Sequence, residues 1–294
     1  MRPRDAALAV FTAVIWGLGF VAITFGLESF SAPQLTAARF LAACLFVPFV
    51  PRPKLPWSSL VLIGLTLFTG QFLLLFFAYT RGLPPGLAAV TQQTQVFFTV
   101  LLAAMFLREA PTARQCAGMA VAFAGLAVIG ATAGSDLTLE GIGLGLAGAV
   151  SWAVGNLLVK RTAGVSPMSL VVWASLVPPL PALLVSALAD RQRPLWAALS
   201  HVAWISVGAA VYLGVLATVA GYTVWGMLLQ RYPTGVATPF ALLVPCIGAG
   251  SSAVILGESF SAARYAGMAL VLAGLAVIML PGAAGRRVAA ASVP

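Results

Sequence analysis

Thr91-Gln92-Gln93-Thr94-Gln95 forms a concentrated polar cluster inside a stretch of sequence otherwise apolar enough to cross a bilayer. An unpaired amide in hydrocarbon costs several kcal/mol, so these side chains must face protein or water. Gln92, Gln95 and Thr99 fall at i, i+3 and i+7 on one helical face, with Gln93 about 100° away. Amides donate and accept at once, as a substrate carrying both an ammonium and a carboxylate requires. The alternative is that they only bond neighbouring helices. Arg39 is the one basic residue well inside a predicted span, where insertion scales charge about 2.5–3.5 kcal/mol for a mid-helix arginine. With no acid at any helix centre, its guanidinium either receives a substrate carboxylate or bonds helix carbonyls and fixes the fold.

Trp16, Tyr79, Trp152, Tyr212, Tyr222, Trp225 and Phe240 lie near the midplane or in the second half of a predicted span. Such rings can hold the apolar part of a ligand or contact a cation through the ring face, or they can simply pack. With Arg39, Gln92, Gln93 and Gln95 they make up the candidate substrate-binding set.

Other chemistries lack their residues. His201 is the only histidine, no Asp or Glu sits mid-span, and there are neither paired carboxylates nor a metal-ligand spacing. No catalytic residue and no metal site are therefore expected, and the chain reads as no enzyme. Gly248-Ala249-Gly250-Ser251 has the look of a serine nucleophile turn, but without a partnered histidine it reads as small-residue helix packing. The absence of a phosphate-binding loop means that no nucleotide cofactor, indeed no cofactor, is expected. The missing mid-membrane acid argues against an obvious proton relay.

The elements that must position these residues follow from composition. The chain of 294 residues is 61% hydrophobic and 8% charged, with a mean hydropathy of +1.02, whereas soluble domains carry about 25% charged residues. This is an all-α integral membrane protein with the lipid bilayer as its solvent. The net charge of +9 is spread singly or in pairs at predicted helix ends rather than in one basic stripe, so nucleic acid is not an expected partner. Cys44, Cys116 and Cys246 lie in apolar segments and are expected to pack. No cleavable signal peptide is expected, because the apolar run after Arg4 is long enough to span and stay.

Runs of about 20 apolar residues predict ten helices, at 6–26, 33–50, 58–79, 86–107, 113–132, 140–159, 167–189, 202–228, 235–256 and 262–281. A cytoplasmic N-terminus puts eleven Lys and Arg on the cytoplasmic side and four on the other, so both termini are expected in the cytoplasm. The chain is also duplicated. Ala124-Gly125-Leu126-Ala127-Val128-Ile129 returns as Ala273-Gly274-Leu275-Ala276-Val277-Ile278, and Gly86/Gly235, Glu109/Glu258 and Gly118/Gly267 keep the same offset, 258 − 109 = 149. Five helices per repeat is an odd number, so the second half enters the membrane from the opposite face and the halves are related by inverted topology. Trp16 and Trp152 share a Trp-x-x-Gly at equivalent places, whereas Arg39 has Trp173 as its rough counterpart.

Gly141, Gly145, Gly148 and Gly155 predict close packing of the sixth helix. Pro178, Pro179 and Pro181 predict a break in the seventh, and Pro239 and Pro245 a break in the ninth. Glu109 and Glu258, at helix ends, are expected to cap or to form interfaces rather than to carry protons.

Trp16-Gly17, the Pro33-to-Arg39-Phe40 segment, Gly235-Val236-Ala237 and the run from Glu258 through Gly267 to Ala273-Gly274-Leu275 together resemble the drug/metabolite transporter superfamily, both halves being similar to EamA domains. The resemblance covers nearly the whole chain. It implies ten helices in two inverted five-helix repeats, 1–132 and 140–281, around a central cavity, with a cytoplasmic tail at 282–294. It also implies a bacterial-type inner-membrane exporter of amino acids, including aromatic or other apolar ones, that rocks its halves around a midplane site. The fourth helix departs from the family by lacking the proline that the ninth keeps as Pro245. Expected partners are a small-molecule substrate and lipid, and the chain is expected to act as a monomer. Helices one, three, four, six, eight and nine are expected to wall the cavity. The alternative substrate is another small metabolite or a drug-like amphiphile; a membrane enzyme or scaffold is the competing class.

Overall fold

The computed structural model describes residues 1–107, 110–162, 164–190, 194–232 and 234–279. Arg108, Glu109, Arg191, Arg193 and the tail at 282–294, all used in the sequence reading, lie outside the described residues. Among the described residues, ten helices are long and apolar enough to cross a membrane: α1 Pro3–Ser29, α2 Ala32–Phe49, α3 Trp57–Thr80, α4 Pro85–Phe106, α5 Ala113–Ala131, α6 Leu139–Lys160, α7 Pro167–Ala189, α8 Trp204–Arg231, α9 Pro239–Leu256 and α10 Ala262–Met279. Their starts carry local signals. Ser31 with Gln34 and Thr112 with Gln115 form reciprocal caps on α2 and α5, Thr138 and Ser166 cap α6 and α7, and Pro85 opens α4.

The duplicated segments lie in α5 and α10, whose backbones form a close contact between the halves. A Cβ added at Gly118 would sit 2.7 Å from the carbonyl oxygen of Gly274, and one at Gly125 would sit 2.6 Å from that of Gly267. The reciprocal additions, at Gly274 and Gly267, would meet the oxygens of Gly118 and Gly125 at 2.4 and 2.8 Å. Backbones approach this closely only where side chains are missing. Residue numbers rise along α5 as they fall along α10, since 118 + 274 = 125 + 267, so the two helices run antiparallel about a pseudo-twofold axis. That is the geometry of an inverted repeat.

Two departures from regular helix recur in both halves. Gly64–Gly70 of α3 and Tyr212–Ala220 of α8 are wound as π-helix. In each, a threonine hydroxyl donates to the carbonyl five residues back: Thr69 to Gly64 at 3.0 Å and Thr218 to Leu213 at 2.8 Å. These threonines are equivalent, since 218 − 69 = 149. Carbonyls of the widened turns are taken by the other half: Trp16 Nε1 donates to Ala217 at 2.9 Å and Ser151 Oγ to Thr66 at 2.7 Å. The chain thus satisfies groups that a π-turn displaces.

α4 is interrupted at Gln93-Thr94, between Pro85–Gln92 and Gln95–Leu107. α9 begins as a tight 3-10 segment, Thr238–Leu242, at the equivalent place. Pro239 and Pro245 account for the break in α9. α4 breaks without a proline because hydroxyls compete for its carbonyls, with Thr94 Oγ1 donating to Thr91 and Thr99 Oγ1 to Gln95, both at 2.7 Å. The predicted break in α7 falls between Pro167–Ala174 and Pro179–Ala189. The glycine face of α6 packs on α3 as expected, a Cβ at Gly155 meeting the Cα of Leu67 at 2.7 Å. Cys116 and Cys246, in contrast to the packing expected of them, are exposed.

Candidate functional site

The helices enclose a cavity of about 1050 Å³, at the upper end of the range for small-molecule sites. All ten contribute to its wall, four more than the sequence singled out. Its mouth lies between Arg114, Gln115, Lys160, Gln230 and Met279. This is the end of the bundle where the described chain starts and finishes. There Asp5, at the start of α1, accepts from Arg231 at 3.1 Å and from the Tyr232 hydroxyl at 2.6 Å.

The opposite end is clasped shut by polar pairs. Arg264 holds Asp136 at 2.9 Å and Thr132 at 3.0 Å, Arg81 holds Glu140 at 2.7 Å, and Asp190 accepts from Ser31 and Ser186. The Arg264 guanidinium keeps the Asp136 carboxyl down at about 2, below its usual 3.8. Glu258 accepts from the backbone N–H of Gly86, at the start of α4, at 2.9 Å, and from the Ser252 hydroxyl of α9. This is the capping role expected of it.

Arg39 on α2 reaches the deep part of the cavity and is 3% exposed. Its Nε donates to Thr218 Oγ1 of the α8 π-segment at 2.9 Å. Its guanidinium carbon lies 3.6 Å from the Phe72 ring centre and 5.6 Å from that of Phe40, a cation–π seat in desolvated surroundings. No carboxylate pairs with it among the described residues. Nor does any acidic, histidine or cysteine side chain line the cavity among them. The deep charge is therefore a lone cation.

Aromatic rings form one side. Trp16 meets Tyr222 at a tilt and Trp225 edge-on, at centroid distances of 5.2 and 5.7 Å, and Tyr222 meets Phe68 edge-on at 5.6 Å. Amides form another. Gln92 Nε2 donates to the Gly145 carbonyl at 2.9 Å, and Asn156 Nδ2 donates to Gln95 Oε1 at 2.8 Å, joining α4 to α6. The arrangement provides a cation, an amide surface and an apolar cage within one enclosure.

Of the sequence-predicted residues, Trp16, Arg39, Gln92, Gln93, Gln95, Trp152, Tyr222 and Trp225 line this cavity. Tyr79, Tyr212 and Phe240 do not. Tyr79 faces a smaller space of about 350 Å³ at the clasped end and donates to the Phe20 carbonyl at 3.1 Å. Tyr212 donates to the Ile15 carbonyl at 2.8 Å, tying α8 to α1. Phe240 is half-buried in the 3-10 turn of α9. Sequence reasoning missed Gln71, Phe72, Asn156 and Thr218. A lone amide in the apolar run of α3 and another in α6 were the available signal.

The chain matches the family described as the EamA-like transporter family twice, over residues 5–131 and 139–280. It is 40% identical over 282 residues to a "Probable amino-acid metabolite efflux pump" of Salmonella typhimurium, covering 94% of each chain. It is 37% identical to a protein of the same name from Escherichia coli K12, again over 94% of each. A "Probable terminal-alkyne amino-acid exporter" of Streptantibioticus cattleyicolor is 30% identical, with 92% of this chain and 91% of that one covered. One solved crystal structure, 21% identical, shares the fold with a TM-score of 0.65 over 98% of this chain and 99% of its own.

Proposed function

Since the chain belongs to the EamA-like transporter family, we propose that it is a secondary transporter exporting amino acids across a bacterial inner membrane, working as a single chain by alternating access. The observation that carries this reading is the lone buried guanidinium of Arg39, which has no acidic partner among the described residues and lines the cavity. A buried cation without a counter-ion is stabilised by an anion brought to it, and a bidentate carboxylate fits its fork. The names of the relatives support amino acids as the class. The same charge repels cationic drug-like amphiphiles.

Substrate enters at the mouth, its carboxylate seats on Arg39, and its side chain lies against Trp16, Tyr222 and Trp225. Trp152, Gln93 and Gln95 complete the wall, with Gln95 held in place by Asn156. The two halves rock about the α5–α10 contact, closing the mouth and parting the clasps at the far end. Counterflow is the test: purified protein in proteoliposomes preloaded with one unlabelled L-amino acid should accumulate the same labelled compound unchanged. No saturable accumulation for any of the twenty, or chemical alteration of the solute, overturns the proposal.

The charge bias supports cytoplasmic termini, which makes the open mouth cytoplasmic. In a variant free of Cys44, Cys116 and Cys246, an exposed Ser135→Cys between α5 and α6 should react with a membrane-impermeant thiol reagent on intact cells. Arg161→Cys, after α6, should react only once the cells are opened. The reverse pattern would mean that the cavity faces outward.

A further inference from the structure

Resting on the amino-acid reading, we infer that Gln71 and Gln92 form an ammonium subsite, which makes the cavity select zwitterionic α-amino acids over carboxylates that lack the amine. Both side chains line the cavity, they are 2% and 1% exposed, and the Oε1 of each is buried without a hydrogen-bond partner. Buried acceptors are nearly always satisfied, so two orphans on one cavity need a reason. The Nε2 of Gln92 is committed to the Gly145 carbonyl, which fixes the amide and leaves its oxygen as the free group. Gln71 shares the cavity wall with Tyr222.

The two glutamines flank one glycine of α6. A Cβ at Gly148 would lie 3.0 Å from the backbone oxygen of Gln71 and 3.4 Å from Nε2 of Gln92. What these oxygens lack is a donor. An ammonium brings three N–H groups and a charge that amide oxygens favour, whereas a second carboxylate brings neither. Tyr222 lines the same cavity as Arg39 and both glutamines. A substrate with a negative and a positive pole one carbon apart matches that set: carboxylate to Arg39, ammonium toward the amides, side chain to the aromatic cage.

The test uses the full chain in proteoliposomes and the labelled L-amino acid with the fastest counterflow. Unlabelled competitors are the same amino acid, its des-amino acid and its decarboxylated amine; for L-phenylalanine these are 3-phenylpropionate and 2-phenylethylamine. The wild-type protein should prefer the amino acid over the des-amino acid by about tenfold or more, and Gln71→Met or Gln92→Met should reduce that ratio to about one or two, the loss expected for a charge-assisted bond. The ratio against the decarboxylated amine, set by Arg39, should not move. Gln71→Glu, which keeps an acceptor, should retain or raise the preference for the amino acid, and it decides the matter where the Met variants give no folded protein. Unchanged ratios in folded Met variants, or a folded Glu variant without the preference, overturn the subsite while leaving amino-acid export standing. A wild-type protein that moves no amino acid overturns the export reading and the subsite together.

Discussion

Arg39→Gln lowers amino-acid counterflow at subsaturating substrate by about 100-fold, the effect of removing roughly 3 kcal/mol of charge-assisted bonding to a carboxylate. The loss falls mainly on apparent affinity, because the guanidinium is met on first binding. Folding survives. The variant removes a buried charge rather than orphaning one, and Thr218 keeps its own bond to the Leu213 carbonyl. Arg39→Lys retains the charge without the planar fork and is expected between the two, about tenfold down. The structural alternative, in which Arg39 only pins α2 to the π-segment of α8, makes the opposite forecast: Arg39→Gln would lower the thermal midpoint in detergent while transport per folded molecule stayed within twofold of wild type.

Gly274→Val prevents stable folding. Its first added carbon would lie 2.4 Å from the Gly118 carbonyl oxygen and 2.8 Å from both the backbone nitrogen and the Cβ of Ala122, so the obstruction includes backbone that cannot rotate away. Forced separation of α5 from α10 is expected to cost about 3 kcal/mol, the upper end for overpacking, in a protein whose halves meet there. Gly250→Ala is the control, since a Cβ there meets nothing within 4 Å, and its better helix propensity should leave stability unchanged or raise it by up to about 1 kcal/mol. Thermal midpoints and the monodisperse fraction after detergent extraction separate the two. Equal behaviour of the variants would mean that α5 and α10 are not in backbone contact.

The repeated Ala-Gly-Leu-Ala-Val-Ile was legible as duplication, and the structure turns it into the antiparallel helix pair that joins the halves. Arg39 and Gln92 were legible because a polar group in a long apolar run has to be explained by its surroundings. Gln71 obeys the same logic, yet a solitary amide carries no periodicity and the run around it reads as plain membrane helix. The π-turns of α3 and α8 were invisible for a different reason. They are one-residue slips stabilised by Thr69, Thr218 and by carbonyl partners on α1 and α6, contacts far away in sequence. Tyr79 and Tyr212 show the limit of counting aromatics: a ring in an apolar helix can face lipid, cavity or a neighbour's carbonyl, and helix rotation alone decides which.

Two inverted halves of identical sequence would hold the mouth-open and mouth-closed states at equal free energy, because exchanging the halves converts one into the other. Any resting preference must then reside where the halves differ. The guanidinium clasps of the sealed end are such places: Arg264 and Arg81 pair with carboxylates there, while the positions equivalent to them, 264 − 149 = 115 and 230 − 149 = 81, are the neutral Gln115 and Gln230 at the mouth. Closing the mouth breaks two ion pairs, and the amides at the two equivalent positions cannot re-form them. With an exposed pair contributing up to about 1 kcal/mol and every 1.4 kcal/mol weighting a population tenfold, these two pairs weight the unloaded protein toward the state with its mouth open. An exporter biased in this way waits facing its supply, and bound substrate must offset the bias before the cycle can turn.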